Sequence, residues 1–117
     1  MPALIRIVRM DASTTVVAAV GDIDLASAPQ LHPRLLVLPD RDTVLEMSGV
    51  SLLAAAGLTA LLDIQDRLTR AGARLVLAAP SPPVRRALAI TRLDTRLATA
   101  PTVDAGIVLI TPSLRAG

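Results

Sequence analysis

The centre of the chain reads Val44-Leu45-Glu46-Met47-Ser48-Gly49-Val50-Ser51-Leu52-Leu53-Ala54-Ala55-Ala56-Gly57-Leu58. The apolar and β-branched residues from Thr43 to Met47 predict a buried strand. The apolar spacing further on predicts a helix from about Ala56 to Arg70. We interpret the segment between them as a short loop that delivers the N-terminus of the helix to the end of the strand. Because binding sites of parallel sheets tend to gather at that end, this junction is the first candidate for a functional site.

The junction offers little chemistry. Its loop has no acid, histidine or cysteine, and three adjacent alanines end it. The whole chain has no Cys, Phe, Trp or Tyr, and its single histidine is His32. Thiolate sites and disulfides are therefore excluded, and aromatic platforms for single-stranded nucleic acid are missing. A lone imidazole cannot complete a triad or a multi-histidine metal site, so we expect no enzyme, no metal and no cofactor, with His32 on the surface.

Composition places further limits on the protein. A length of 117 residues with 52% hydrophobic residues predicts one domain, residues 1–117, with an ample core. All twelve basic residues are arginine, and they are scattered among ten acids for a formal net charge of +2. This pattern does not favour nucleic-acid binding. No apolar run approaches the ~20 residues of a membrane span and no signal-peptide pattern is present, so we expect a cytoplasmic protein without direct membrane insertion.

The flanking segments complete the fold prediction. Leu4–Met10 and Thr14–Val20 are predicted strands joined by a short turn, and are therefore expected to be antiparallel. Ser27 and Gln30 have the spacing of a capping box at the start of a short helix. Arg74–Ala79 predicts a later strand. We predict a single α/β domain whose mixed sheet has four to five strands, the first hairpin antiparallel and the later strands parallel, covered by about four helices.

The C-terminal part has one clear helix and one ambiguous segment. Ser81 and Pro82 are typical of a helix start, and the helix should run to about Ile90. Thr102 is a suitable cap for a final helix, whereas Ile107–Ile110 also fits a strand. The sequence leaves both interpretations open.

Four segments, taken in order, resemble one family. Gly21-Asp22-Ile23-Asp24-Leu25-Ala26-Ser27-Ala28-Pro29-Gln30-Leu31 is similar to the family pattern Gly-Glu-Leu-Asp-Leu-Ala-Thr-Ala-Pro-Glu-Leu, and Glu46-Met47-Ser48-Gly49-Val50-Ser51-Leu52-Leu53 is similar to Asp-Leu-Ser-Gly-Val-Thr-Phe-Leu. The later segments are Arg74-Leu75-Val76-Leu77 with Pro80-Ser81-Pro82-Pro83-Val84-Arg85-Arg86-Ala87-Leu88, and Thr91-Arg92-Leu93. Each motif alone is weak, but four in register are specific. Together they resemble the STAS domain of bacterial anti-sigma factor antagonists over nearly the whole chain.

The resemblance implies a regulatory protein-binding function. Such antagonists bind an anti-sigma factor, often a serine kinase with an ATP-binding fold, and so free a sigma factor for transcription. The kinase phosphorylates the second serine of an Asp-Ser-Ser-Gly sequence at the helix N-terminus. Here Ala54, Ala55 and Ala56 replace the acid and both serines, and Gly57 is retained. Because alanine has no hydroxyl, we expect no phosphorylation at Ala56 and binding without the usual phospho-switch.

The partner surface implied by the resemblance consists of seven residues: Asp24, Ser27, Ser51, Ala55, Ala56, Gly57 and Thr59. For Ser27 the alternative is a plain helix cap, and for Asp24 a loop residue that satisfies backbone groups. An anion bound at the helix N-terminus is a further alternative. The second function class is a structural STAS subunit or scaffold, of a stress-signalling assembly or of a lipid-transport ABC ATPase. The oligomeric state stays open, a homodimer included.

Overall fold

The computed structural model describes residues 3–10 and 13–110, and strands and helices alternate along most of this range. The elements in chain order are β1 (Leu4–Met10), β2 (Thr14–Ile23), α1 (Ala28–Leu36), β3 (Asp42–Leu53), α2 (Ala55–Arg70), β4 (Leu75–Ala78), α3 (Pro82–Thr91), a 3-10 turn (Leu93–Thr95), β5 (Ala98–Ala100) and α4 (Val103–Ile110).

The described strands form a five-stranded sheet in the order β1-β2-β3-β4-β5. β1 pairs with β2 in antiparallel fashion, and each of the other neighbouring pairs is parallel. This arrangement confirms the predicted α/β fold with a mixed sheet. It also places the carboxyl ends of β2 and β3 side by side, which is where the candidate site lies.

Helices cover both faces of the sheet. On one face, apolar side chains of α1, α2 and α3 pack against strand residues such as Leu45 and Leu77 to form the larger core. On the opposite face, Val44 and Val76 pack against Ile110 of α4 in a smaller core. Since β4 is covered on both sides, its sequence is a continuous apolar run of four buried residues rather than an alternating one.

β3 is longer than the sequence predicts. Ending the strand at Met47 was wrong, because β3 continues to Leu53 beside the second half of β2. Two register irregularities in the β2–β3 pairing accommodate the continuation. At Gly49 an added Cβ would lie only 2.7 Å from Cγ1 of Val20, so the glycine permits close approach of the two strands. The Ser48-Gly49 pair therefore belongs to an irregular strand and not to a loop.

The C-terminal part contains one element that the sequence pattern did not indicate and resolves one open choice. β5 was missed because three residues, Ala-Thr-Ala, carry almost no periodic signal; parallel pairing with β4 defines it. The last described segment is the helix α4 and not a strand. Its start is capped by Thr102, whose Oγ1 accepts a hydrogen bond from the Ala105 N–H at 3.1 Å. Within residues 3–10 and 13–110, no helix has the length and hydrophobicity of a membrane span.

The covering face of α2 follows the predicted stripe with one shift. Leu58, Leu61 and Leu68 are buried as predicted, whereas Leu62 is half-buried at the edge of the core. The stripe omitted Ile64, which is also buried. Gln65 bonds through Nε2 to the backbone carbonyl of Arg96 at 2.5 Å, so this polar residue faces the loop before β5.

Leu61 should be one of the main anchors of α2, because its side chain is 1% exposed in the larger core. We expect Leu61→Ala to lower the free energy of unfolding by about 2–5 kcal/mol, as for other buried leucines. Ile90→Ala is the matched control, since Ile90 is 76% exposed and its truncation should cost less than about 0.5 kcal/mol. Urea denaturation followed by circular dichroism measures both; equal effects would contradict this assignment of the core.

Candidate functional site

The candidate site is built where β2 and β3 end together. Asp22 pairs with Leu52 and Ile23 with Leu53 across the two parallel strands. The chain then leaves the sheet at Ala54, whose N–H donates to the Ile23 carbonyl at 2.8 Å. This bond fixes the start of α2 at the carboxyl edge of the sheet. The helix N-terminus therefore lies at the end of the strand, as predicted. The segment before it, which was predicted to be a loop, is the second half of β3 and pairs with β2.

Asp24 and Ser27 form a compact turn between β2 and α1. Oδ1 of Asp24 accepts hydrogen bonds from the N–H groups of Ala26 and Ser27, each at 3.0 Å. The hydroxyl of Ser27 accepts from the Asp24 N–H at 2.9 Å and donates to the Asp22 carbonyl at 2.7 Å. Ser27 is buried and Asp24 half-buried. Both side chains satisfy nearby backbone groups, which is the structural alternative stated for Asp24 but not the helix cap stated for Ser27.

The predicted capping box at the start of α1 is wrong. Ser27 is the N-cap residue, but its side chain forms no capping bond to the helix. Its hydroxyl is engaged with Asp22 and Asp24 instead. Because these partners precede the helix, the serine holds the turn to the end of β2 and leaves the first turn of α1 uncapped.

Ser51 forms a hydrogen bond that the sequence did not suggest. Its Oγ donates to Oδ1 of Asp22 at 2.6 Å, which joins β3 to β2 at the exposed edge. This bond stabilises the charged carboxylate and so lowers the pKa of Asp22 below its ordinary value. Asp22 was missed as a site residue because the partner hydroxyl is 29 positions away in the chain.

The first turn of α2 exposes small apolar groups. Ala54 is its N-cap, with an extended backbone and no side-chain cap, and Ala55 is exposed while Ala56 is half-buried. Thr59 is also exposed, and its hydroxyl donates to the Ala55 carbonyl at 3.1 Å. Within the described residues, the N-cap therefore gives the first N–H groups of the turn no side-chain partner, and alanines stand where a capping or phosphorylatable side chain would be.

Gly57 brings α2 close to the sheet. A Cβ at this position would lie 2.6 Å from Cγ2 of Ile23 and 2.7 Å from Cδ1 of Leu53. It would also lie 3.2 Å from the Ile23 carbonyl oxygen. Gly57 is buried, so its role is close packing beneath the surface that Ala55 and Ala56 present.

A shallow groove of about 220 Å³ lies between the first turns of α1 and α2. Leu25 on its rim is 79% exposed, and sequence analysis did not select it because an apolar residue in a turn carries no chemical signal. The groove brings Ala56 and Thr59 together, whereas Ser51 lies outside it on the strand edge. The lining includes Leu25, Pro29, Ala56, Thr59, Ala60 and Asp63.

The groove presents mainly apolar surface with two polar groups. The groove has an apolar wall of small side chains, one carboxylate from Asp63 and one hydroxyl from Thr59. The part of the chain that the structure describes holds no group of three or more His, Cys, Asp or Glu side chains that could bind a metal ion. Such a surface can recognise the shape and charge of another molecule.

The family model described as "Mlab, STAS domain" matches residues 7–107. The chain therefore belongs to the STAS domain family, and the resemblance seen in its sequence motifs is confirmed. A comparison with curated protein sequences finds no match.

Solved structures share the same fold. An anti-sigma factor antagonist from Mycobacterium paratuberculosis is 24% identical, with a TM-score of 0.81 over 92% of this chain and 93% of that one. The antagonist SpoIIAA in its unphosphorylated form is 18% identical, with a TM-score of 0.73 over 91% and 95% of the two chains. A sulfate transporter family protein from Wolinella succinogenes is 19% identical, with a TM-score of 0.74 over 93% of each chain. The fold thus occurs in regulators and in transporter proteins alike.

Gly57→Ala should destabilise the protein although alanine favours helices, because the added methyl group would press on Ile23 and Leu53. We expect a net loss of about 1–3 kcal/mol, as for other overpacked positions. Ala55→Gly, at an exposed position of the same turn, is the control for helix propensity and should cost at most about 1 kcal/mol. Chemical denaturation measures both variants, and a Gly57→Ala protein as stable as wild type would contradict the close packing.

The Asp22–Ser51 bond should be visible in a carboxyl titration. We expect Ser51→Ala to raise the pKa of Asp22 toward its ordinary value, measured by carbon-detected NMR, whereas Ser51→Thr should leave it lowered. Because the folded-state pKa is depressed, the bond stabilises the folded protein above the ordinary pKa, and this contribution disappears as the pH falls through the lowered pKa. An Asp22 pKa that is the same in all three proteins would refute the interaction.

Proposed function

We propose that this chain is a non-enzymatic regulatory module that binds an anti-sigma factor through the first turn of α2 and the adjoining groove. The observation that carries the proposal is the exposed small-residue surface at that turn, where Ala55 is exposed and Ala56 lines the groove beside Leu25. Small side chains let a partner approach the backbone closely. Covering an exposed apolar side chain such as Leu25 with a partner surface removes it from water, which contributes favourably to the free energy of binding.

The charges around the groove indicate the chemistry of the partner surface. Asp63 lines the groove, and Asp24 lies in the turn immediately before Leu25. A complementary surface would place an apolar contact over the alanines and basic side chains toward these carboxylates. Such a partner can be a kinase-like protein with an ATP-binding fold, as the family resemblance implies, and no cofactor is needed for this contact.

Binding should be constitutive at this turn. Ala56 occupies the position of the phosphoserine in the resembled family, and its methyl group cannot accept phosphate. In charge and size it is closest to the unphosphorylated serine. Phosphorylation of such an interface adds a charge of about −1.5 to −2. This charge weakens binding because it repels nearby acidic groups and must lose water in the contact. Without the acceptor, release of the partner requires competition or loss of the protein rather than modification of this residue.

The second candidate is a structural subunit or scaffold, of a stress-signalling assembly or of a lipid-transport ABC ATPase. The specific observation in its favour is the same alanine turn, since a permanent subunit needs no phospho-switch. Proteins recovered with the chain from its own cells distinguish the two: a kinase-like anti-sigma factor supports the first, and an ATPase with membrane subunits supports the second. Either role is compatible with a cytoplasmic location.

Ala56→Glu should separate binding from stability. The helix dipole should tolerate or favour the new charge in the free protein, by about 0.3–1 kcal/mol. In the complex the carboxylate would lose water, at a cost that reaches several kcal/mol when it finds no partner. We therefore expect unchanged or slightly raised thermal stability and a large loss of affinity for the recovered partner, measured by calorimetry. Ala56→Ser should bind like wild type.

The matched control is Ala89→Glu, at an exposed position of α3 outside the groove. It adds the same charge to the protein and should leave affinity unchanged. If Ala56→Glu binds as tightly as Ala89→Glu and wild type, the first turn of α2 is not the interface. The scaffold function, through another surface, would then be the better explanation.

A further inference from the structure

A second depression lies at the opposite end of the sheet from the α2 turn. It has a volume of about 290 Å³ and opens at the amino ends of β4 and β5, between α2 and α4. The groove of the proposed function is at the carboxyl ends of β2 and β3, so the two sites share no residue. We call this depression the Arg74–Arg96 pocket.

The floor of the pocket is apolar. Leu75, Val76 and Ile110 line it and are buried in the core, each no more than 5% exposed. Leu109 stands at the rim, with 42% of its surface exposed. The apolar surface that this depression leaves in contact with water therefore belongs chiefly to Leu109, and an apolar chain laid against it would remove that surface from water.

Two arginines stand together at the mouth. Arg74 directly precedes β4, and Arg96 lies two residues before β5, the parallel neighbour of β4. Both arginines line the pocket, and both residues are exposed. Because two like charges at one pocket repel each other, an anion bound there would lower the energy of the pair.

A hydrogen bond holds the Arg74 guanidinium without neutralising it, whereas at Arg96 the backbone is held. Nη1 of Arg74 donates to the Leu109 carbonyl at 3.3 Å, and the Arg96 backbone is fixed by the Gln65 side chain. The carboxylate of Asp42 forms a hydrogen bond with Arg74, but its Oδ1 accepts from the Arg74 backbone N–H and not from the guanidinium group. Among the residues that the structure describes, neither Arg74 nor Arg96 forms an ion pair. Their positive charge therefore remains available to a ligand.

We propose that the Arg74–Arg96 pocket binds a small amphipathic anion, with a phosphate or carboxylate head at the two arginines and a short apolar chain against Leu109, above the floor formed by Leu75, Val76 and Ile110. The head group would accept charge-assisted hydrogen bonds from both guanidinium groups. The volume lies at the lower end of the range for small-molecule sites, about 300–1,000 Å³, which favours a short chain over a bulky ligand. The absence of aromatic residues from the sequence gives no platform for a nucleobase.

The proposal is tested with soluble probes below their micelle-forming concentrations. Octyl phosphate and octanoate present the two head groups on one chain, butyl phosphate shortens the chain, and inorganic phosphate and octanol each supply one half of the ligand. NMR titration follows the side-chain signals of Arg74 and Arg96 together with the methyl groups of Val76 and Ile110. We expect saturable shifts of all four with octyl phosphate or octanoate, weaker binding of butyl phosphate, and no saturable binding of phosphate or octanol.

Variants locate the binding in this pocket. Arg96→Gln removes one cation whose side chain makes no bond within the described structure, so the fold should persist. Affinity for the better octyl probe should fall at least about tenfold, as expected for loss of a charge-assisted hydrogen bond. Arg86→Gln, an exposed arginine of α3 remote from the pocket, should bind like wild type, as should Ala56→Glu in the groove.

Four outcomes would overturn the proposal: no saturable binding of either octyl anion, equal affinity for inorganic phosphate and octyl phosphate, unchanged affinity in Arg96→Gln, or loss of octyl binding in Ala56→Glu. Equal binding by phosphate would mean that the apolar floor takes no part. Loss of octyl binding in Ala56→Glu would relocate the ligand to the groove. These results are independent of the partner experiment, because that experiment concerns the other end of the sheet.

Discussion

The close packing of the first turn of α2 on the ends of β2 and β3 is the constraint on which the rest of the structure depends. It requires a residue without a side chain at Gly57, since any Cβ there would meet Ile23 and Leu53 within 2.7 Å. The backbone hydrogen bond from the Ala54 N–H to the Ile23 carbonyl also holds the start of α2 close to the end of β2. With α2 seated in this way, Leu58 and Leu61 enter the core, and the alanines above Gly57 are held at the surface in fixed positions.

This arrangement explains why a site framed by many hydrogen bonds presents a chemically plain surface. The side chains of Asp24 and Ser27 form hydrogen bonds within their own turn. The bond between Ser51 and Asp22 joins the ends of the two strands. The polar residues thus build the frame, and the exposed contact surface is left to Leu25, the alanines and Thr59. Under the proposed function, such a surface would give specificity through shape, because a partner would have to fit the backbone of the turn and cover apolar side chains without finding strong polar anchors.

Much of the fold could be predicted from the sequence because its signals are local. The apolar runs of the strands, the stripe of α2 and the antiparallel first hairpin all depend on residues close together in the chain. The extension of β3 to Leu53 could not be predicted in this way, since Ser48-Gly49 has the composition of a loop and becomes strand only through pairing with Val20 and its neighbours. β5 likewise depends on its partner strand. For the site, the position of the α2 turn follows from the family motif, but the Asp22–Ser51 bond and the exposure of Leu25 depend on distant parts of the chain.

The two layers on the sheet are unequal in how they are held. Three helices share the larger core, whereas among the described elements the smaller core is covered by α4 alone. Ile110 of α4 packs there against Val44 and Val76. Because α4 also contributes Leu109 and Ile110 to the lining of the Arg74–Arg96 pocket, the packing that covers this face of the sheet also fixes one wall of the pocket.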